Sequence, residues 1–224
     1  SLNVSILSMM LAKEAGFTEE EMKLVGFAAL MHDVGMLRIP TQILRKSEPL
    51  TKPEQNLLKQ HTRYGYELLD LTKDCPEAAK SVVLHHHERL DGSGYPDGLK
   101  GEKIDKLTQM VAMVDEYDEL CHPQDQSKAK VPHAVLSFLF KHKTKQLNKD
   151  YIGLLVKQLG IYPPGSVVQL SNGQVGLVMS VNPKRLLFTS VLIYDPAIPR
   201  HDAPIIDLED VGLSIGKVIA PARL

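Results

Sequence analysis

The sequence is short of several residue types, and each shortage excludes a class of protein. It has no tryptophan, 5% aromatic residues and only two cysteines, Cys75 and Cys121. Two cysteines without a framework spacing exclude a disulfide-stapled secreted fold and favour a reducing compartment. No apolar run approaches the roughly 18 to 20 residues of a membrane span, and no charged leader with an apolar stretch opens the chain. We therefore expect a soluble, unprocessed domain of the cytoplasm.

The chain also lacks an excess of charge of either sign. Its 26 Lys and Arg residues against 27 Asp and Glu residues give a formal net charge of -1. This balance disfavours DNA as a partner, because a nucleic-acid footprint is normally basic. The 43% of hydrophobic residues in 224 is enough to bury a core and excludes disorder as the main state.

Residues 1–160 are predicted to be mostly helical. Thr18 and Glu21 form a capping-box pattern before an apolar run that we expect to end near Gly35. Thr51 begins a second capping-box pattern, which opens a second long helix that carries His61. Three glycines and a proline make residues 90–98 an ordered loop. Further helices are predicted over residues 74–87, 104–120, 132–146 and 148–160.

The pattern changes after residue 165 to short β-rich runs. Asn172-Gly173 lies between two such runs and is a strong hairpin signal. A third strand is predicted over residues 186–194, with edge strands near 205–208 and 215–219. The fold class is therefore mainly α, with a metal-binding helical domain over residues 1–146. Residues 147–224 are predicted to hold a final helix and a small C-terminal β appendage.

Histidine is concentrated in the first half of the chain, where five of the nine fall within residues 32–87. An acid and an imidazole at the end of an apolar helix are costly to bury unless something binds them. Four predicted helices each supply nitrogen or oxygen ligands and none supplies a cysteine, which favours iron or manganese, with zinc as an alternative. The candidates are His32, Asp33, His61, His86, His87 and Asp115.

Each of these signals has a plainer interpretation when it is taken alone. A lone His61 is more often a surface or core-edge residue than a ligand, and three histidines at 85–87 suit a helix end stabilised by its dipole. We interpret five methionines as core fillers: Met9, Met10, Met31, Met110 and Met113. It is the order of the candidates, followed by a glycine-rich loop, that makes the set specific.

The ordered set resembles the HD-GYP domains, a branch of the HD phosphohydrolases. The resemblance covers roughly residues 1–145 and is carried by these strings: His32-Asp33-Val34-Gly35, a single histidine at 61, the segment HHERLDGSGYP from His86 to Pro96, and Val114-Asp115-Glu116-Tyr117-Asp118. It implies an HD-type helical bundle that holds two or three metal ions, usually iron or manganese. It further implies hydrolysis of cyclic di-GMP to linear pGpG or GMP in bacterial second-messenger signalling.

The resemblance also assigns roles to residues. The implied metal ligands are His32, Asp33, His61, His86, His87 and Asp115, with Asp33 bridging two ions as the catalytic carboxylate. His85 falls just before the motif and is left out. The loop residues Gly94, Tyr95 and Pro96 are associated in the family with contacts to diguanylate cyclase (GGDEF) domains. Such proteins usually carry a sensory or receiver domain upstream, and the family's earliest histidine ligand would lie just before Ser1.

The sequence departs from the family where cations hold the substrate phosphates. Met36 stands where the family has lysine, and Gln124 and Ser127 stand in place of a basic pair. Each charge-assisted contact is worth about 1.5 to 3 kcal/mol, so three losses weaken binding unless something compensates. Candidates to compensate, each otherwise an ordinary solvated charge, are Arg89, Lys100, Lys128 and Lys130.

Three functions therefore compete. The first is a metal-dependent phosphodiesterase for cyclic di-GMP. It is supported by the presence of every family metal ligand whose position falls within the sequence. The second is a catalytically weak or inactive HD-GYP signalling module that binds metal, with or without nucleotide, and acts through partner contacts; the missing cations favour it. A nucleotidase acting on a phosphomonoester is disfavoured because the long GYP segment exceeds what those enzymes carry.

Overall fold

In a computed structural model of the chain, the described residues are 1–123, 125–181, 189–199 and 202–219. Among the described helices, none is both long and apolar enough to cross a membrane. The α-helices are α1 Leu2–Glu14, α2 Glu19–Met31, α3 Thr41–Leu44, α4 Lys52–Lys59, α5 His61–Asp70, α6 Glu77–His85, α7 Lys106–Cys121, α8 Pro132–His142 and α9 Lys149–Leu159. The strands are β1 Val167–Leu170, β2 Val175–Val181, β3 Thr189–Tyr194, β4 Ile205–Asp207 and β5 Ile215–Ile219.

The two helix starts predicted from capping-box patterns are confirmed, but the helices that follow them are shorter than expected, as are the helices predicted over residues 74–87 and 132–146. Capping boxes are present at Thr18 and Thr51, which open α2 and α4. α2 ends at Met31, before the expected Gly35, and a short 3₁₀ helix follows over Val34–Arg38. The long helix predicted after Thr51 is divided at Gln60, whose N–H donates to the Leu57 carbonyl three residues back. This tighter turn ends α4 and lets α5 begin at His61.

The early end of α2 is tied to a close approach between two backbone segments. Gly35 in the 3₁₀ helix lies against the first turn of α5, where an added Cβ would overlap the carbonyl oxygen of His61 and the backbone nitrogen of Gly65. Only glycine allows backbones to pack at this distance. The approach carries Asp33 towards His61, so a local irregularity in the fold positions the site.

The chain forms two compact units. The first comprises residues 1–119 and 142–151, and the second comprises residues 120–141 and 152–224. The predicted boundary after residue 146 stays a prediction. In the first unit, Met110 and Met113 of α7 are fully buried, as expected of core fillers. The same prediction is wrong for Met9 and Met10, which are 42% and 39% exposed on α1.

The second unit contains a five-stranded antiparallel sheet with the strand order β4-β3-β2-β1-β5. The hairpin predicted at Asn172-Gly173 is confirmed, because β1 and β2 pair directly and Gly173 has a φ of +88°. β4 and β5 are the edges, as expected, while residues 186–188 of the predicted third strand lie outside the described residues. An aliphatic core fills one face: Val168, Leu170, Val178, Val191, Ile193 and Leu208. The protein is therefore mainly α with a small C-terminal β appendage.

Candidate metal centre

All six candidate ligands lie together in the first unit, and most come from the ends of helices. His32 caps the C-terminus of α2, Asp33 follows it, and His61 is the first residue of α5. His86 and His87 come directly after α6, whereas Asp115 lies within α7. His32, His61 and His86 are 1% exposed or less. Because the ends of α2, α5 and α6 lie close to one another, the side chains at these ends meet at one point.

The carboxylates link the histidines. His32 Nε2 lies 3.2 Å from Asp33 Oδ2 and 3.2 Å from Asp115 Oδ1. The other oxygen of Asp33, Oδ1, lies 3.6 Å from His61 Nε2, and Asp115 Oδ2 lies 3.9 Å from His87 Nδ1. Each carboxylate therefore reaches two different imidazoles. A carboxylate with one oxygen on each side of a site is suited to bridge two cations.

Backbone carbonyls fix the orientation of three imidazole rings. The Nδ1–H groups of His32, His61 and His86 donate to the carbonyl three residues earlier, at 2.6, 2.7 and 2.8 Å. A carbonyl can only accept, so the proton must be on Nδ1. This leaves Nε2 of each ring facing the centre of the cluster. Metal-binding histidines are commonly held in this way.

The nitrogens that face one another fit a bound cation. His61 Nε2 and His86 Nε2 are 3.3 Å apart. In neutral rings with Nδ1 protonated, two lone pairs meet at this distance, and a positive ion between them removes the repulsion. Ligand atoms within 4.8 Å of one another form two groups that share His86: His61 with His86 and His87, and His32 with His86 and Asp115.

Burial sets the protonation of the cluster. It holds the pKa of His86 and His87 well below the usual range, because a charged imidazole would be desolvated and would lie among other groups that are positive when protonated. Neutral imidazole is the form that binds metal. Burial also acts against a charged His32, but without a cation its hydrogen bonds with Asp115 and Asp33 outweigh burial and raise its pKa to about 10, so a bound cation would have to displace the Nε2 proton. Asp33 remains ionised, since despite burial its bond to His32 lowers its pKa.

Glu88 has a role that the sequence interpretation did not assign. Its side chain is buried, and Oε1 accepts from the N–H groups of Asp97 and Gly98 at 2.7 and 3.0 Å. Oε2 accepts from the Leu99 N–H at 3.0 Å. The buried carboxylate therefore holds the far end of the loop that follows the histidines. A glutamate directly after a paired histidine, before a glycine-rich loop, was the available signal.

The loop residues lie against the cluster. The Tyr95 ring stacks on His87, with centroids 4.8 Å apart and planes at 26°. Gly94 packs so closely on the backbone of residues 87–89 that a Cβ has no room there. Pro96 follows Tyr95 through a cis peptide bond. His85, left out of the ligand set, contacts the same loop through Asp97, with Nε2 3.1 Å from Oδ2.

Three of the four cations that are candidates to compensate for the missing charge, Arg89, Lys128 and Lys130, have other partners. Arg89 donates to Glu116 at 2.6 Å, and Lys143 lies 3.0 Å from the other oxygen of Glu116. The stem of Lys100 lies against Gly92. In the second unit, Lys128 pairs with Asp125 at 3.2 Å and Lys130 lies over the Phe138 ring.

Three uncharged residues stand where the resemblance implies phosphate-binding cations, and the structure describes two of them. Met36 is half-buried in the 3₁₀ helix after Asp33. Ser127 is exposed, and its N–H donates to Asp125 at 3.0 Å. Gln124 lies outside the described residues.

Comparisons with known proteins agree with this geometry. The chain is 32% identical over 220 residues to a cyclic di-GMP phosphodiesterase from Pseudomonas aeruginosa, which covers 95% of this chain and 51% of the relative. It is 35% identical over 155 residues to the cyclic di-GMP phosphodiesterase response regulator RpfG from Xanthomonas campestris, covering 69% and 41%. The chain thus spans about half the length of the curated relatives it matches.

The fold has a solved counterpart. An HDG"Y"P protein from Bdellovibrio bacteriovorus superposes with a TM-score of 0.57 at 22% identity, covering 69% of this chain and 49% of that one. A family model described as an HD domain matches residues 2–147, which include all six clustered side chains. The chain therefore belongs to the HD domain family, whose members bind divalent metal, and to its HD-GYP branch.

Proposed function

We propose that this protein is a metal-dependent phosphodiesterase that hydrolyses cyclic di-GMP to linear pGpG or GMP. The observation that carries the proposal is the convergence of four imidazoles and two carboxylates on one buried point, with Nε2 of three rings turned inward. The names of the two curated relatives support the substrate.

The ligand assignment is part of the proposal. His61, His86 and His87 would hold one ion and His32 and Asp115 a second, with His86 belonging to both groups of ligand atoms but able to give its Nε2 lone pair to one ion at a time. Asp33 would be the carboxylate shared by the two ions, because its two oxygens face different histidines. Two ions, or three with a ligand from upstream, are expected. Nitrogen and oxygen ligands without cysteine favour iron or manganese.

The chemistry divides between the cations and the chain. Bound divalent cations supply hydroxide near neutral pH and positive charge against the phosphodiester oxygens. The chain supplies orientation: the carbonyl bonds to Nδ1 fix three rings, and Tyr95 covers His87. Asp33 stays ionised beside His32, so its carboxylate would help to hold the cations that face the scissile phosphate.

The decisive experiment combines metal analysis of protein purified without oxygen with a cyclic di-GMP turnover assay. We expect at least two equivalents of iron or manganese per chain and conversion to pGpG or GMP. A generic phosphodiester, bis(4-nitrophenyl) phosphate with Mn²⁺, provides a second substrate. Metal-replete protein that is inert on both would contradict the proposal.

A second candidate is a signalling module with weak or no turnover, and Met36 favours it. No charge occupies that position, although the family uses lysine there. Met36→Lys separates the two: in an enzyme it should lower the KM for cyclic di-GMP, since it restores a charge-assisted contact. An unchanged KM would mean that the phosphate contact lies elsewhere.

The partner assignments belong to the same proposal. The loop of Gly94, Tyr95 and Pro96 is the expected contact for a diguanylate cyclase domain, and a sensory or receiver domain is expected upstream. A cytoplasmic location follows from the nucleotide that we propose as substrate. Isothermal titration of a purified GGDEF domain into the wild-type chain and into Pro96→Ala tests the loop; equal affinities would exclude it as the contact.

A further inference from the structure

A cleft of about 340 Å³ opens next to the metal centre. It is bounded by the last turn of α4, the first turn of α5 and the loop after the paired histidines. Two cations and two amides face it, and none of its lining residues carries a carboxylate. The lining residues are Asn56, Lys59, Gln60, Arg63, Tyr95 and Pro96. Such a lining suits an anion.

The cleft adjoins the cluster directly. Gln60 precedes His61, and the Tyr95 ring that forms one wall stacks on His87 at 4.8 Å. The Lys59 ammonium lies 5.0 Å from the centroid of the same ring. An anion bound by Lys59 would therefore lie near an aromatic side chain that contacts the imidazole of His87.

Lys59 is the cation of the cleft that is available to a ligand. Arg63 is paired with Asp97 at 2.7 Å, but Lys59 has no carboxylate partner in the part of the chain that the structure describes. Its ammonium is exposed and rests over an aromatic face, which favours a cation without neutralising it. A phosphate can take the remaining donors of this ammonium.

We propose that the Lys59 cleft binds the phosphate of the cyclic dinucleotide that is not being cleaved, and so supplies charge that Met36 does not. The inference rests on the proposed function, because the ligand is its substrate. Lys59, Asn56 and Gln60 donate to the phosphate oxygens, and Tyr95 forms the wall towards the metal centre. The cleft thereby selects a substrate with two phosphodiesters over one with a single phosphodiester.

The test removes the charge and keeps the packing. Lys59→Met retains an unbranched stem over Tyr95, Lys59→Arg retains the charge, and Lys52→Met is the matched control on the same helix. For Lys59→Met we expect the KM for cyclic di-GMP to rise about tenfold, the effect of one charge-assisted contact. For bis(4-nitrophenyl) phosphate, which has one phosphodiester, the rise should stay below about twofold. Lys59→Arg should restore most of the affinity, and Lys52→Met should resemble wild type.

Each outcome decides between the two proposals. Equal KM increases for both substrates, or loss of metal from Lys59→Met by elemental analysis, would overturn the cleft and indicate a structural role. An unchanged KM for cyclic di-GMP would overturn it as well. If wild-type protein binds cyclic di-GMP without cleaving it, a Kd weakened by Lys59→Met upholds the cleft while the enzymatic proposal fails. If wild-type protein neither binds nor cleaves it, both fail.

Discussion

The first unit (the helical unit) and the second unit, which contains the five-stranded sheet (the sheet unit), bury different kinds of side chain. In the helical unit His32, His61, His86 and Glu88 are each 1% exposed or less. The core of the sheet unit is aliphatic, and the polar side chains buried in its described part are Ser166 and Thr189, neither of which is ionisable. Buried polar groups cost free energy unless they are partnered. The first unit carries that cost in a cluster that is suited to a cation, whereas the described core of the second unit consists of aliphatic side chains.

The largest expected effect comes from removing a ligand shared by both halves of the cluster. His86→Ala and Asp33→Ala should each release bound metal and reduce turnover more than the roughly 100-fold that loss of an outer partner costs. His133→Ala is the matched control, because this histidine of the second unit bonds the Ile161 carbonyl and stacks on Tyr162. Elemental analysis is the measurement. Unchanged metal content in both ligand variants would refute the assignment.

Removal of the metal should affect the two units unequally. A ligand that binds only the folded state stabilises it by about 4 kcal/mol at a thousandfold excess over its Kd. Hydrogen exchange measured with and without EDTA should therefore speed up in α2, α5 and the segment after α6. Exchange in β1, β2 and β3 should change little. Equal acceleration in both units would contradict the idea that the cation stabilises only the helical unit.

A substitution of Glu88 tests how much its buried carboxylate, which holds the loop, contributes to the free energy of unfolding when the metal ligands are intact. In Glu88→Gln an amide NH₂ replaces one acceptor oxygen and faces a backbone N–H of residues 97–99. We expect a loss of about 1.5 to 3 kcal/mol in unfolding free energy, with bound metal retained. Glu102→Gln, an exposed acid in the same loop region, is the control. Urea unfolding of both variants measures the difference, and equal stability would mean that water replaces these bonds at little cost.

The features that the sequence predicted correctly depend on residues that are close together in the chain. The capping boxes, the Asn172-Gly173 hairpin and the order of the clustered histidines and acids can be read within a few residues of sequence. The break at Gln60 and the early end of α2 could not, because both lie beside the close approach of Gly35 to α5, which joins segments that are distant in sequence. The same limit hid the Lys59 cleft, since it requires knowing that Tyr95 lies over this lysine.

The smallest expected effect concerns a half-buried acid of the helical unit, Glu54, and it separates ordinary acid titration from loss of metal. A hydrogen bond from Lys46 and the capping contacts with Thr51 lower the pKa of Glu54 to about 2. A lowered pKa stabilises the fold above the unfolded value of about 4.3 and is lost as pH falls towards 2. The gap in urea midpoint between wild type and Glu54→Gln should therefore be constant near neutrality and shrink below about pH 4. Measured in EDTA, a gap that shrank already near pH 6 would implicate a histidine and not this carboxylate.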